Sequence, residues 1–410
     1  MGLDLVVFPM HDWKKYESEG FRTRDAHLIQ HFAVNDRVNK ILVINRPMSL
    51  TEMMIKRMDW KINSGDVVYK NNFTQLSKID EKTYVLDIFV FDTISVLLQR
   101  KNWWYSVFKK RKVIEAIKKA IETINISDST FLIQNPMAVE VVKAIDHKFF
   151  IFDAIDNWLH HPQMKSNKNI VANNYEYIKN SADVIFTVSK SLQDFFMKDR
   201  KDVYWVSNGV DKNYFRNAVK NYAIKDNDCE VVVGYVGKIQ ERVDIELVDY
   251  LCENLPDFKF IFLGPILSKK REFINLSKKY DNLKFLGDIH YNQLPQQMKN
   301  IDIAIIPHKV NEFTNSMNPL KLFEYLASGK PVITTGVAGT EDVSEYIYLA
   351  NSKDEFVKTI KDVSIKIING KISAENVVKS VDDKWLWDKK TNEIIDIIIH
   401  KSRNDYAKET

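Results

Sequence analysis

Short runs of β-branched and aromatic residues alternate with amphipathic stretches twice along this 410-residue chain, and that double alternation is what most limits its folds. In the first half, 3–8, 40–45, 84–91, 130–134, 148–153 and 184–188 read as strands. Between them, 22–35, 103–124, 137–146, 169–181 and 190–199 read as helices. A similar series starts at Glu230, with strands at 230–236, 258–263, 283–286, 302–306 and 331–334. Helices at 244–253, 268–279, 293–299 and 319–328 separate these. Strands divided by helices build βαβ units and mainly parallel sheets. The pattern predicts an α/β protein of two units of comparable size, joined near 205–230. In such sheets ligands gather beyond the carboxyl ends of the strands, so the chemistry is sought in the loops that follow them.

Composition removes other classes. The chain is 45% hydrophobic and 28% charged, with interspersed signs and a net charge of +4, which excludes a disordered or fibrous chain. Two cysteines, Cys229 and Cys252, lie apart with no Cys/His cluster, so neither a disulfide framework nor a zinc site is expected. The start of the chain runs into a strand without a basic n-region, and the most apolar window, Tyr84 to Gln99, carries Asp87 and Asp92. These features predict a cytoplasmic protein.

The most informative segment runs from Asn318 through Pro319, Leu320, Lys321 and Glu324 to Gly329, Lys330 and Pro331. Pro319 suits a first helical turn and Gly329 a helix end. A helix N-terminus presents unpaired N–H groups to anions, and Lys321 adds a full positive charge. One turn on, Glu324 is placed to accept hydrogen bonds from vicinal hydroxyls. The same residues also fit an ordinary capped helix with a surface Lys–Glu pair at i,i+3.

The run resembles the donor-binding helix of GT-B glycosyltransferases of the family 4 type, in the branch of teichuronic-acid and other surface-polysaccharide transferases. The resemblance implies that Glu324 binds the nucleotide ribose and that the turn before it, including Ser316, Asn318, Pro319, Leu320 and Lys321, binds the donor. Gly234 to Asp244 is similar to the family's glycine-containing turn, where basic residues hold the diphosphate; Gly237, Lys238 and Arg242 fall at those places. Fixed cations there would stabilise a leaving diphosphate as it gains charge. Leu286 to Tyr291 resembles the base-recognition turn, which assigns Ile289 and His290 to the nucleobase. Residues 182–189, 206–211 and Trp385-Leu386-Trp387 match the last strand of the first domain, the hinge entry and the returning C-terminal segment. The implied fold is GT-B, two facing Rossmann-like domains with an interdomain cleft. The acceptor domain would cover 1–205, the nucleotide-sugar domain 206–385, and the helix over 386–410 would cross back to the first.

Two departures qualify the likeness. Many members carry a second Glu eight residues before the ribose Glu, where this chain has Ser316. The first-domain loop, often Gly-Gly in the family, here contains Met10, His11, Asp12 and Trp13 and continues through Gly20, Arg22 and Arg24. His11, Gly20 and Arg22 are candidates for an acceptor or diphosphate loop.

Beyond the strand 148–153 stand Asp153 and Asp156, where related enzymes place a group beside the anomeric carbon. Either carboxylate would orient the acceptor hydroxyl, stabilise oxocarbenium-like charge or act as base. Either also suits a helix cap or a loop hydrogen bond. The family's mechanism is retaining, with the departing phosphate taking the acceptor proton. No metal constellation is seen, so no metal is expected; the nucleotide diphosphate sugar is a co-substrate and no cofactor is implied.

Between Arg100 and Ala120 eight Lys/Arg residues oppose the single acid Glu115, and Trp103, Trp104, Tyr105 and Phe108 cluster at the start. This reads either as an anionic-membrane element, on the inner face of the plasma membrane, or as a solvated helix face. A stripe of Val107, Ile114, Ile117, Ile121 and Ile124 is expected to pack on the core. No nucleic-acid module is present. The combined expectation is a metal-independent hexosyltransferase moving sugar from a nucleotide sugar to a glycan or lipid-linked acceptor in surface polysaccharide synthesis. A sugar-nucleotide epimerase, a phosphorylase and a non-catalytic partner are the alternatives.

Overall fold

A computed structural model describes residues 2–99, 102–198, 200–219, 231–340 and 343–409, the side chains of 404–409 excepted. Arg100, Lys101, Cys229, Glu230 and the 220–230 part of the expected joint therefore lie outside the described residues. The chain divides into two compact units, one of Met1–Val206 with Thr391–Thr410, the other of Ser207–Lys390.

The first unit holds β1 (Leu3–Phe8), β2 (Val38–Ile44), β3 (Met48–Ser49), β4 (Asp66–Lys70), β5 (Thr74–Lys78), β6 (Thr83–Val90), β7 (Ser129–Ile133), β8 (Phe149–Ala154), β9 (Val184–Thr187) and β10 (Val203–Trp205). They order as β10-β9-β8-β7-β1-β2-β6-β5-β4, with β3 on β6. β1 is parallel to both β2 and β7, pairing Val7 with Val43 and with Leu132. Neighbouring strands on either side of β1 are reached in opposite directions, which makes its carboxyl end a topological switch point. All six residues of β8, Phe-Phe-Ile-Phe-Asp-Ala, are buried, as expected of a parallel strand covered on both faces.

The second unit holds β11 (Val232–Val236), β12 (Lys259–Leu263), β13 (Leu283–Gly287), β14 (Ile303–Ile306), β15 (Val332–Thr334) and β16 (Ile347–Leu349). Every pairing is parallel and the order is β13-β12-β11-β14-β15-β16, the doubly wound arrangement with its switch point between β11 and β14. Cys252, on the helix Ile245–Asn254, is buried in this unit; burial, then the Asp249 carboxylate, pushes its thiol up to about 12.

Several expected elements differ. The segment 103–124 is not one helix: Trp103–Ser106 and a tight turn Val107–Lys109 precede Arg111–Thr123, and Lys110 between them is extended. Lys110 is drawn out by an ion pair with Asp92, while Val107 and Phe108 turn into the core. Val107, Ile117 and Ile124 are buried as the stripe predicts, with Ile114 and Ile121 packed half-buried beside them. The loop expected after β1 contains a helix, Trp13–Glu19, started where Trp13 N–H donates to Asn45 Oδ1. The antiparallel hairpin of β4 and β5 was also not expected. Its outer strand is mostly exposed, so it lacks the apolar run that marks the others.

Candidate functional site

In the second unit, β11 ends in Val236 and the chain turns through Gly237 at φ +130, a conformation that L side chains rarely adopt. A Cβ at Gly237 would lie 2.8 Å from Lys321 Nζ, so glycine leaves room for that ammonium at the switch point. Lys321 sits in the first turn of the helix Leu320–Ala327. Pro319 is the residue just before this helix and caps it with no side-chain acceptor, leaving its first N–H groups turned outward. Lys321 Nζ donates to the Tyr235 hydroxyl at 2.8 Å and lies 4.1 Å from the centre of that ring. Tyr235 in turn donates to the Lys238 carbonyl at 3.2 Å and stands 3.3 Å from His308 Nε2.

The electrostatics are one-sided. Burial, then the Arg242 guanidinium, lowers Lys321 well below the usual lysine range, against an opposing pull from Glu324. Burial, then Lys321 and Arg242, presses His308 well below the usual histidine range and keeps its ring neutral. Burial raises the Tyr235 hydroxyl to about 12, Arg242 opposing. Arg242 Nε is buried without a hydrogen-bond partner, and its Nη1 lies 4.0 Å from Met317 Sδ. Among the described residues neither Lys321 nor Arg242 reaches a carboxylate within ion-pair distance. Two cations, a neutral imidazole and a helix start without a side-chain cap thus gather where, among the described residues, no carboxylate stands within ion-pair distance of either cation, Glu324 acting on Lys321 only from further off.

One turn along the helix, buried Glu324 accepts from the Tyr291 hydroxyl at 2.8 Å. Tyr214 stacks on Tyr291, with ring centres 5.0 Å apart, and donates to its carbonyl at 2.7 Å. Burial, then Glu324, holds the Tyr291 hydroxyl well above its ordinary range, so it stays a donor. Ile289 and His290 lie in the turn after β13; Ile289 N–H donates to Asp288 Oδ1 at 3.1 Å and His290 Nδ1 accepts from Asn292 N–H at 3.4 Å. Ser316 is engaged by its own loop and Asn318 by Asn208. Ser316 Oγ donates to the Phe313 carbonyl at 2.8 Å, and Asn318 Oδ1 accepts from Asn208 N–H at 2.9 Å.

In the first unit the candidates separate into distinct settings. Asp153 is buried and holds Arg24 in a forked ion pair, with Arg24 Nη2 2.9 Å from Oδ1 and Nε 3.1 Å from Oδ2, while Gln134 Nε2 donates to Oδ2 at 2.9 Å. Asp156, three residues on, is half-buried in the following loop, and its carbonyl accepts from the Tyr175 hydroxyl at 3.4 Å. His11, beyond β1, is fixed by buried Asp25, whose Oδ2 lies 3.0 Å from His11 Nδ1 and accepts His11 N–H at 3.1 Å. Burial alone would raise Asp25, but His11, Thr23 and Tyr16 hold it well below the usual carboxylate range. Gly20 ends the helix Trp13–Glu19 in the left-handed conformation at φ 86, which accounts for a glycine there without any ligand. Arg22 pairs with Glu19 at 2.9 Å.

Reading the chain alone passed over Tyr214, Tyr235, Tyr291, His308, Asp25 and Gln134. The available signal was a phenol inside an otherwise apolar buried strand, at Tyr235. Among the described residues no three His, Cys, Asp or Glu side chains gather as metal ligands.

Residues 230–364, which include this switch-point cluster up to Glu324, match the family model of the glycosyl transferases group 1. The second unit therefore carries a glycosyltransferase group 1 domain. The chain is 29% identical over 152 residues to a protein of Bacillus subtilis (strain 168) described as a teichuronic acid biosynthesis glycosyltransferase, TuaH; the match takes in 36% of this chain and only 38% of the relative's own length. Sucrose-phosphate synthase from Thermosynechococcus elongatus shares the fold over 99% of both chains, with a TM-score of 0.69 at 13% identity. Anabaena HepE in complex with UDP-glucose does so over 97% of this chain and 99% of its own, with a TM-score of 0.63 at 13% identity. The fold is GT-B.

Proposed function

We propose that this protein is a metal-independent hexosyltransferase that moves a sugar from a nucleoside diphosphate sugar to a glycan or lipid-linked acceptor, with retention, in surface polysaccharide synthesis at the cytoplasmic face of a membrane. The observation that carries the reading is the unanswered positive charge of Lys321 and Arg242 at the start of the helix Leu320–Ala327. A diphosphate fits it, because fixed cations in an enclosed site stabilise the charge that grows on the leaving group. Glu324, oriented by Tyr291, accepts from ribose hydroxyls, and Ile289 and His290 flank the base. Lys238 adds a third cation on the same turn.

In this mechanism the bond from the anomeric carbon to the diphosphate oxygen breaks as the acceptor oxygen bonds to the same face. The acceptor proton passes to the departing phosphate, so no strong protein base is required. Asp153 is saturated by Arg24 and Gln134 and buried, whereas Asp156 is half-buried in the loop beyond the strand, which favours Asp156 as the carboxylate of the pair that stabilises charge near the reacting centre. The similarity to TuaH supports a cell-surface glycan as product. Incubation with a panel of sugar nucleotides tests the reading: slow release of the nucleoside diphosphate is expected, undiminished by EDTA and lost in Lys321→Met. Conversion of the sugar without release would instead make the protein an epimerase. No turnover and no nucleotide binding would reject the proposal.

A further inference from the structure

Two seven-residue helices of the first unit, Leu50–Lys56 and Thr93–Gln99, pack on one another and bury none of their residues. Their sequences, LTEMMIK and TISVLLQ, are nonetheless apolar. Met54, Ile55, Phe91, Ile94, Leu97 and Leu98 are each between 66% and 78% exposed. Ile94, Leu97 and Leu98 recur at i, i+3 and i+4, the spacing of a single helix face. Helices this short are marginal in water, and what usually holds one is an apolar stripe buried against something else. Here nothing of the described chain covers the stripe, and contiguous apolar surface of this kind marks an interaction site.

The rim indicates what covers it. Exposed Lys56 and Arg57 close the first helix. Lys110 pairs with Asp92 beside Phe91, and Lys112 lies 5.3 Å from the centre of the Phe73 ring. The end of the second helix is tied to this basic segment where Ser106 Oγ donates to Gln99 Oε1. The acids of the two helical segments are already answered, Glu52 by Arg46 at 2.9 Å and Asp92 by Lys110. Apolar residues ringed by lysine with neutralised acids match an anionic lipid surface, whereas lysine is depleted in protein–protein interfaces.

We propose that this face docks on an anionic bilayer, the six apolar side chains entering the acyl boundary and the surrounding lysines and arginine meeting lipid phosphates. The assignment corrects the expectation for 100–120: Trp103 and Phe108 are core residues, so that segment supplies charge while 91–98 and 54–55 supply insertion. It deepens the membrane part of the proposed function and rests on that reading for its purpose, but the binding itself requires no sugar transfer.

Flotation of the full chain with phosphatidylcholine vesicles, with and without phosphatidylglycerol, tests it. Binding is expected with phosphatidylglycerol only. The Leu97→Ser/Leu98→Ser double variant should lose at least about tenfold in binding with little change in melting temperature, since these side chains are 66% and 78% exposed. Arg57→Gln should cost about fivefold on anionic vesicles. Failure to float, or full binding by the double-serine variant, overturns the proposal. So does a chain that self-associates or captures a defined protein through Leu97 and Leu98 while ignoring vesicles. Nucleotide release without flotation would remove the docking surface and leave the transferase reading intact, and the reverse result would remove only the latter.

Discussion

Lys321 holds its ammonium against a tyrosine ring with a guanidinium nearby, and this sets a proton-linked signature for ligand binding. Burial, then Arg242, depresses its proton affinity in the folded protein, with Glu324 opposing and Tyr235 and neutral His308 completing the surroundings. Between the folded and unfolded pKa the unfolded chain binds more protons, so Lys321 makes stability rise with pH across that window. A bound diphosphate reverses the depression, so nucleoside diphosphate binding should take up protons and weaken as pH rises through the folded pKa. Titration calorimetry in phosphate and in Tris checks this: identical enthalpies in the two buffers would contradict it. The two aspartates beyond β8 should also separate cleanly. Asp153→Asn strips the charge that answers buried Arg24 and should destabilise the fold by about 3–5 kcal/mol. Asp156→Asn should cost less stability than Asp153→Asn and lower transfer by about a hundredfold. Sequence alone could not rank the pair, because Arg24 and Gln134 reach Asp153 from distant parts of the chain.

The turn after β11 and the helix Leu320–Ala327 meet where Gly237 faces the Lys321 ammonium. Gly237→Ala should cost about 1–3 kcal/mol through its positive φ and should weaken nucleotide binding as well, because the new methyl stands at the Lys321 ammonium. Thermal melting and nucleotide titration on the same variant measure the two effects; intact affinity would mean that Lys321 does not face the ligand. Elements like these were legible where burial is total. β14 reads as an unbroken apolar run and β1 and β8 as apolar runs interrupted by one aspartate each, and the Pro319-to-Gly329 punctuation located the helix to within a residue or so at each end. Legibility failed where a tertiary partner decides the local structure. The extended Lys110 answers to Asp92, the helix Trp13–Glu19 starts at Asn45, and the β4–β5 hairpin lies at an exposed edge. The spacing of Lys321 and Glu324 was visible because both lie on one helix. Tyr235, Tyr291 and His308 were not, because only the sheet order brings β11 and the segments after β13 and β14 to the helix Leu320–Ala327.

At the scale of the whole molecule, the last segment belongs to the first unit by packing and not by sequence order. Ile394, Ile395 and Ile398 are buried, Asn392 Oδ1 accepts from Asn35 at 2.9 Å, and Asp396 pairs with Arg37. Removing 391–410 should therefore destabilise the N-terminal unit, each lost isoleucine contributing about 1.5–3 kcal/mol, and hydrogen exchange across β1 and β2 should accelerate. Unchanged protection there would show that the segment is dispensable to that core. The second unit carries its own reporter. With its thiol pushed up to about 12 and enclosed, Cys252 offers almost no thiolate at neutral pH, and an alkylating reagent reaches it only when the helix Ile245–Asn254 lifts away. The labelling rate of the peptide that contains it is thus a built-in clock for the breathing of the second unit, and a ligand that tightens this unit should slow that clock.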